Sequence, residues 1–155
     1  MRMYKYILMH TSIYYMEHKI KRVIIHCTDS DDSLDIGFRE INDWHKQRGF
    51  ISTSGINCGY HYIIRRDGRI EKGRPESEIG AHCKGKNTGS IGIVWVGRKH
   101  PTDIQMKSLK NQVRAVCSRY KLEAYFDVYG HCEFDAGKTC PNLDMVKFRA
   151  EMAFL

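Results

Sequence analysis

The sequence predicts one mixed α/β domain, a central sheet of mixed strand direction flanked by helices. Short β-branched runs recur along the chain, helix-period stripes separate them, and one Asp-Gly pair marks a hairpin. Strands interleaved with helices favour parallel pairing, and a hairpin among them adds an antiparallel partner. At 155 residues the chain can close one core and is too short to divide comfortably into two.

The elements follow in order. Val23-Ile24-Ile25 is a compact β-branched run, a buried strand that ends at His26-Cys27-Thr28 before a polar stretch over 29–35. Over 36–48 the spacing of Ile41, Trp44 and His45 marks one face of a helix that stops at Gly49, with Trp44 and His45 on its buried side and His45 a hydrogen-bonded core residue. A strand over 60–65 leads to Asp67-Gly68 and returns over 69–71, because Asp-Gly suits the positive φ angles of a type I′ turn. Residues 91–96 continue the sheet. Thr102 with Gln105 three residues on forms a capping box, and Leu109, Val113, Val116 and Tyr120 make the buried stripe of the helix it opens. A short strand over 126–129 leads to His131. A last amphipathic segment from Leu143 turns Met145, Phe148 and Met152 inward.

Lys and Arg outnumber Asp and Glu by 25 to 18, which favours a polyanionic partner or reflects a solvated basic surface. No arginine-rich run or basic heptad helix stands out, so nucleic acid is not the expected partner. No segment reaches the roughly 20 apolar residues of a membrane span. The stretch from Met1 to Tyr15 is interrupted by His10-Thr11-Ser12 and lacks a small-residue cleavage site, so it is not read as a secretory signal. Met16 is an alternative start. Residues 1–20 are therefore read as an N-terminal extension that need not belong to the core, and 21–155 as the folded domain. Without a secretory signal, the six cysteines are read as thiols rather than a disulfide framework.

His26 and His131 each follow directly on a strand, and Cys140 lies shortly after the second. Strand ends hold side chains rigidly, as a metal site needs. Zinc takes imidazole nitrogen and thiolate sulfur, and three protein ligands leave a fourth position for catalysis. Spacing alone leaves the alternative open, satisfied core histidines and inert thiols.

Six ordered blocks go further: Val23-Ile24-Ile25-His26-Cys27-Thr28; Arg39-Glu40-Ile41 with Trp44-His45 and Gly49; Gly59-Tyr60-His61-Tyr62 with Arg66-Asp67-Gly68; Gly80-Ala81-His82 through Asn87 to Ser90-Ile91-Gly92-Ile93; Gly130-His131; and Lys138-Thr139-Cys140-Pro141. From Lys21 to Phe148 the chain resembles the zinc-dependent N-acetylmuramoyl-L-alanine amidases, a family that includes phage lysozymes of amidase type and the peptidoglycan-recognition proteins. The resemblance implies that fold, and hydrolysis of the amide between N-acetylmuramic acid and L-alanine by an endolysin-type enzyme. It implies one zinc ion on His26, His131 and Cys140, with Tyr60 and Lys138 as catalytic residues. His82 and Asn87 are expected to contact substrate rather than metal. Retention of Cys140 favours an enzyme over a binding module without turnover. If Tyr60 is in the site, His61, alternating with it along the strand, is not. Cys27, Cys83 and Cys132 are discounted as further ligands, because a fourth would close the open position.

The partner implied is peptidoglycan or a soluble muropeptide, bound by a monomer. Some amidases of this type also restrain phage RNA polymerase, so polymerase enters as a partner by family analogy only. Without an export signal the expected course is cytoplasmic synthesis and action on the wall after release, with cytosolic muropeptide recycling as the alternative.

Overall fold

The computed structural model describes residues 19–153; the expectations for Met1 to Tyr15 and for a start at Met16 lie outside them. Among the described residues five strands form a sheet: β1 Arg22–Cys27, β2 Tyr62–Ile64, β3 Ile70–Lys72, β4 Ser90–Trp95 and β5 Val128–Gly130. Their order is β3-β2-β4-β1-β5, with β3 antiparallel to β2 and every other pair parallel. The helices are α1 Phe38–Gln47, α2 Asp103–Tyr120, α3 Ala124–Asp127 and α4 Met145–Ala153. The expected mixed sheet flanked by helices is the observed one.

β1 lies between β4 and β5 and is buried along its length, which is why Val23-Ile24-Ile25 reads as a continuous apolar run rather than an alternating one. Val23, Ile25 and Cys27 join Ile91, Ile93 and Trp95 on the face packed by Leu109, Val113 and Val116 of α2 and by Met145, Phe148 and Met152 of α4. Ile20 is buried in the same cluster. On the other face Ile63, Val94 and Val96 pack on Ile41 of α1 and on Cys58. By strand alternation His26 belongs to this second face. Thr102 caps α2 as expected: Gln105 N–H donates to its hydroxyl at 3.1 Å, and Thr102 N–H donates to Gln105 Oε1 at 3.2 Å. Gln105 also donates to the carbonyls of Ile64 and Val96, tying the helix start to the ends of β2 and β4.

Four local expectations are corrected. The Asp67-Gly68 hairpin forms without a type I′ turn: Arg65 N–H reaches Arg69 O at 2.8 Å, Gly68 N–H reaches Arg65 O at 2.9 Å, and Gly68 has φ 85° while Asp67 is not left-handed. This is a three-residue loop closed by a left-handed glycine, and the Asp67 carboxylate accepts Arg69 N–H at 3.0 Å instead of leaving the turn to the backbone alone. β2 starts two residues later than expected, because Gly92 N–H donates to the ring of His61 and Tyr60 O is taken by Arg74 N–H. Trp44 is 41% exposed, since the contact with the sheet runs through Ile41 and His45 and leaves Trp44 on its flank. Phe126 lies in α3 rather than in a strand, and 68% exposed, because Phe126 and Asp127 N–H both turn back on Glu123 O before β5 begins.

Candidate metal centre and cleft

The register of the sheet assembles the site. Ile25 of β1 pairs with Gly130 of β5, so His26 and His131, the next residue of each parallel strand, emerge side by side with ring centroids 4.7 Å apart. The chain then makes a 3-10 turn, His131–Glu133, and returns to Cys140, where Cys132 N–H donates to Cys140 O at 2.8 Å. Cys27 N–H donates to Cys140 Sγ at 3.2 Å, and that sulfur lies 3.8 Å from His26 Nδ1. One ligand atom from each of His26, His131 and Cys140 lies within 4.8 Å of the others. Two imidazoles and one sulfur gathered so closely fit a zinc ion and leave a coordination position open.

The local electrostatics suit ligands. Burial, reinforced by His131 and His45, holds His26 well below the ordinary imidazole pKa. Burial lowers His131 as well, with Asp135 opposing and Lys138 adding to the shift. Neutral rings are the metal-binding form. The Cys27 side chain and burial push the Cys140 thiol upward, so a cation at the site would be what holds this sulfur as a thiolate.

A cleft of about 760 Å³ opens over these residues. His26, Tyr60, His45 and Phe50 form one part of its wall, His82, Cys83, Lys84 and Asn87 another, and the segment from Gly137 to Cys140 a third. Tyr60 lies with its ring 5.1 Å from that of His26 and 5.2 Å from His45. Burial, then the Cys140, Cys58 and Cys27 thiols, raise its phenol, keeping it a protonated donor. Lys138 is exposed at the rim. His61 does not line the cleft; it accepts Gly92 N–H through Nδ1 at 2.9 Å and its Nε2 faces Glu78 O at 3.0 Å. His45 is buried and accepts Gly59 N–H at 2.8 Å, the core role read from sequence, and it also reaches the cleft wall.

His82 and Asn87 both line the cleft, but their polar atoms face inward. His82 Nδ1 is 2.9 Å from His26 Nε2, and Asn87 Oδ1 accepts the N–H groups of His82 and Cys83 at 2.9 and 2.8 Å. Sequence reading missed the bond between the two histidines, and missed Arg48 and Asn142 as lining residues. One signal was available: Gly92 interrupts a β-branched strand, a position that marks close approach of another group. A Cβ there would meet the His82 ring at 2.6 Å.

A profile of the N-acetylmuramoyl-L-alanine amidases matches residues 16–143. The chain is 35% identical over 137 residues to an endolysin of Enterobacteria phage T3, covering 81% of this chain and 83% of the phage protein. Among solved structures it resembles the N-acetylmuramoyl-L-alanine amidase LysC from Clostridium intestinale URNW, with TM-score 0.75, 28% identity, and 88% and 87% of the two chains covered. It also resembles the ectodomain complex of peptidoglycan-recognition proteins LCa and LCx bound to tracheal cytotoxin, with TM-score 0.60, 28% identity, and 84% and 81% covered.

Proposed function

From the premise that this chain belongs to the N-acetylmuramoyl-L-alanine amidase family, we propose that it is a zinc enzyme of endolysin type with its centre on His26, His131 and Cys140. It cleaves the amide between N-acetylmuramic acid and L-alanine in peptidoglycan. The observation that carries the reading is the convergence of those three ligand atoms within 4.8 Å at the edge of a cleft.

Zinc held there supplies Lewis acidity toward the scissile carbonyl and an activated water. The chain's own residues do the rest. His26 on a central strand and Cys140 under the Cys27 N–H fix two of the ligands. Lys138 places a positive charge at the rim, where it stabilises negative charge developing on the carbonyl oxygen as the amide is attacked. The Tyr60 phenol, kept protonated by burial in the same wall, would orient the attacking water or pass on a proton. Arg48 and Lys84 add positive charge to a cleft whose substrate carries a stem peptide with carboxylates. His82 and Asn87 contribute the wall against which the muramyl peptide lies.

The catalytic domain works as a monomer and takes in Ile20, which is buried in its core, while Met1 to Tyr15 are an extension. Deleting Met1 to Tyr15 should therefore leave wall cleavage and zinc content unchanged; a truncated chain that loses either would refute that division. We place synthesis in the cytoplasm and action on the wall after release. Among the described residues no helix is long and apolar enough to cross a membrane.

The deciding experiment incubates the protein with insoluble peptidoglycan, with zinc or with a chelator, and assays separately for new L-alanine amino termini and new reducing sugar ends. New alanine termini that vanish on chelation and return with zinc, without reducing ends, are expected. Reducing ends without alanine termini would make it a glycosidase, and no release with zinc bound would reduce it to a binding module.

A further inference from the structure

His82 is built into the site more closely than a wall residue needs. Its ring is held between two glycines: a Cβ at Gly80 would stand 2.5 Å from His82 Cδ2, and one at Gly92 would stand 2.6 Å from the same atom. Asn87 Oδ1 clamps the backbone on either side of His82, accepting the N–H groups of His82 and Cys83. The ring is thereby aimed at His26, with Nδ1 2.9 Å from His26 Nε2 and Nε2 3.3 Å from Ser90 Oγ.

The protons on this chain have one consistent assignment if His26 is a ligand. His26 Nδ1 is the nitrogen that faces Cys140 Sγ, so it must carry the free lone pair. His26 Nε2 then carries the proton and donates to His82 Nδ1. His82 is left with its proton on Nε2, which donates to Ser90 Oγ, and the Ser90 hydroxyl donates to Asn87 O at 2.9 Å. His82 and Ser90 each receive one hydrogen bond and give one, and the chain ends on a backbone carbonyl that cannot reverse it. Partners of this kind fix a ligand's tautomer and ring orientation.

We propose that His82 is a positioning residue, holding His26 in the tautomer and orientation required for binding metal through Nδ1. The proposal rests on the zinc reading above for its consequence, but the hydrogen bond itself belongs to the protein alone. His82 presents only ring carbon to a substrate, because both its nitrogens are engaged.

The test compares His82→Ala, His82→Asn and His82→Gln. Asparagine sets its carbonyl oxygen near the place of Nδ1 and can accept from His26; glutamine sets its oxygen nearer the place of Nε2, away from His26. Zinc affinity is measured by competition with a chromophoric chelator, and the His26 tautomer by nitrogen-15 NMR of the zinc-free protein. The expected result is a roughly 10- to 100-fold loss of zinc affinity in the alanine and glutamine variants, with affinity near that of the parent in the asparagine variant. The parent should show the proton on His26 Nε2, and the alanine variant a mixture of tautomers. Equal zinc affinity in all variants would overturn the proposal, and so would equal loss in the asparagine and glutamine variants, which would mean that ring packing alone matters. Should the alanine variant fail to fold, the asparagine and glutamine pair decides. A parent that binds no zinc would sink the metal reading instead, and the tautomer measurement would still judge the bond.

Discussion

The candidate centre draws its ligands from two unlike regions. His26 sits in an interior strand of the sheet, 1% exposed, with its ring braced by His82. His131 and Cys140 come from a segment whose residues 135–139 are all exposed. That segment is held by a few specific contacts: Gly130 N–H and Arg149 both engage the Glu133 carboxylate, Cys132 and Cys140 share a backbone bond, and Trp95 donates from its indole to Pro141 O at 2.9 Å. The sheet fixes His26 by packing and sets the start of the second segment, His131, beside it through the β1–β5 register. The rest of that segment, to Cys140, depends on local bonds and, when it is bound, on the metal. The candidate site is thus half framework and half clasp.

The largest expected effects break each half in turn. Cys140→Ala and His26→Ala should both abolish zinc binding and wall cleavage, read by metal content and by release of alanine termini. They should differ in stability. His26→Ala leaves His82 Nδ1 unpaired in a buried place, which costs about 1–3 kcal/mol, whereas Cys140→Ala gives up only the weaker N–H to sulfur bond from Cys27 and should lose less. Equal destabilisation would erase the distinction between framework and clasp. Next in size, Lys138→Ala on the clasp and Tyr60→Phe on the framework should each keep zinc while cleavage falls by about 10²- to 10³-fold. Zinc lost together with rate in either variant would turn that residue from a helper into a support of the metal.

Chelation should then sharpen the contrast without any substitution. Removing zinc should speed hydrogen exchange at the Cys132 and Lys138 amides, whose bonds to Cys140 O and Asp135 O lie in the clasp. The amides of Val23 to Ile25, laddered on both sides, should be unmoved. A uniform change across both regions would show that the two halves fold as one unit with the metal.

The framework was easier to read from sequence than its connections. The β-branched run of β1, the Thr102–Gln105 box and the inward stripe of α2 are local patterns, and each appears where expected. His26, His131 and Cys140 could be named because their blocks match a family in order; their spacing alone left core histidines and inert thiols as the stronger reading. What was not legible depended on distant partners. The His26–His82 bond joins residues 56 apart, and the exposure of Trp44 follows from where α1 meets the sheet rather than from its own periodicity. The turn at Gly68 differed because the Asp67 side chain bonds Arg69, a choice that the Asp-Gly pair does not announce.

The smallest effect concerns pH and the framework half. Burial, with Arg48 and Arg74 adding to it, lowers His45 from 6.5 to about 4. Its Nδ1 accepts Gly59 N–H, a bond that requires the unprotonated nitrogen, and its ring backs Tyr60. A folded pKa below the unfolded one means that the unfolded chain takes up the proton first. The stabilisation is therefore complete above about 6.5 and declines as pH falls toward about 4. His45→Asn keeps an acceptor near the same place and does not titrate. In chelator, so that metal loss does not enter, the parent's melting temperature should fall more steeply than that of His45→Asn between these pH values. Parallel curves would show that acid reaches the protein elsewhere, and that the wall behind Tyr60 is held by packing rather than by a neutral imidazole.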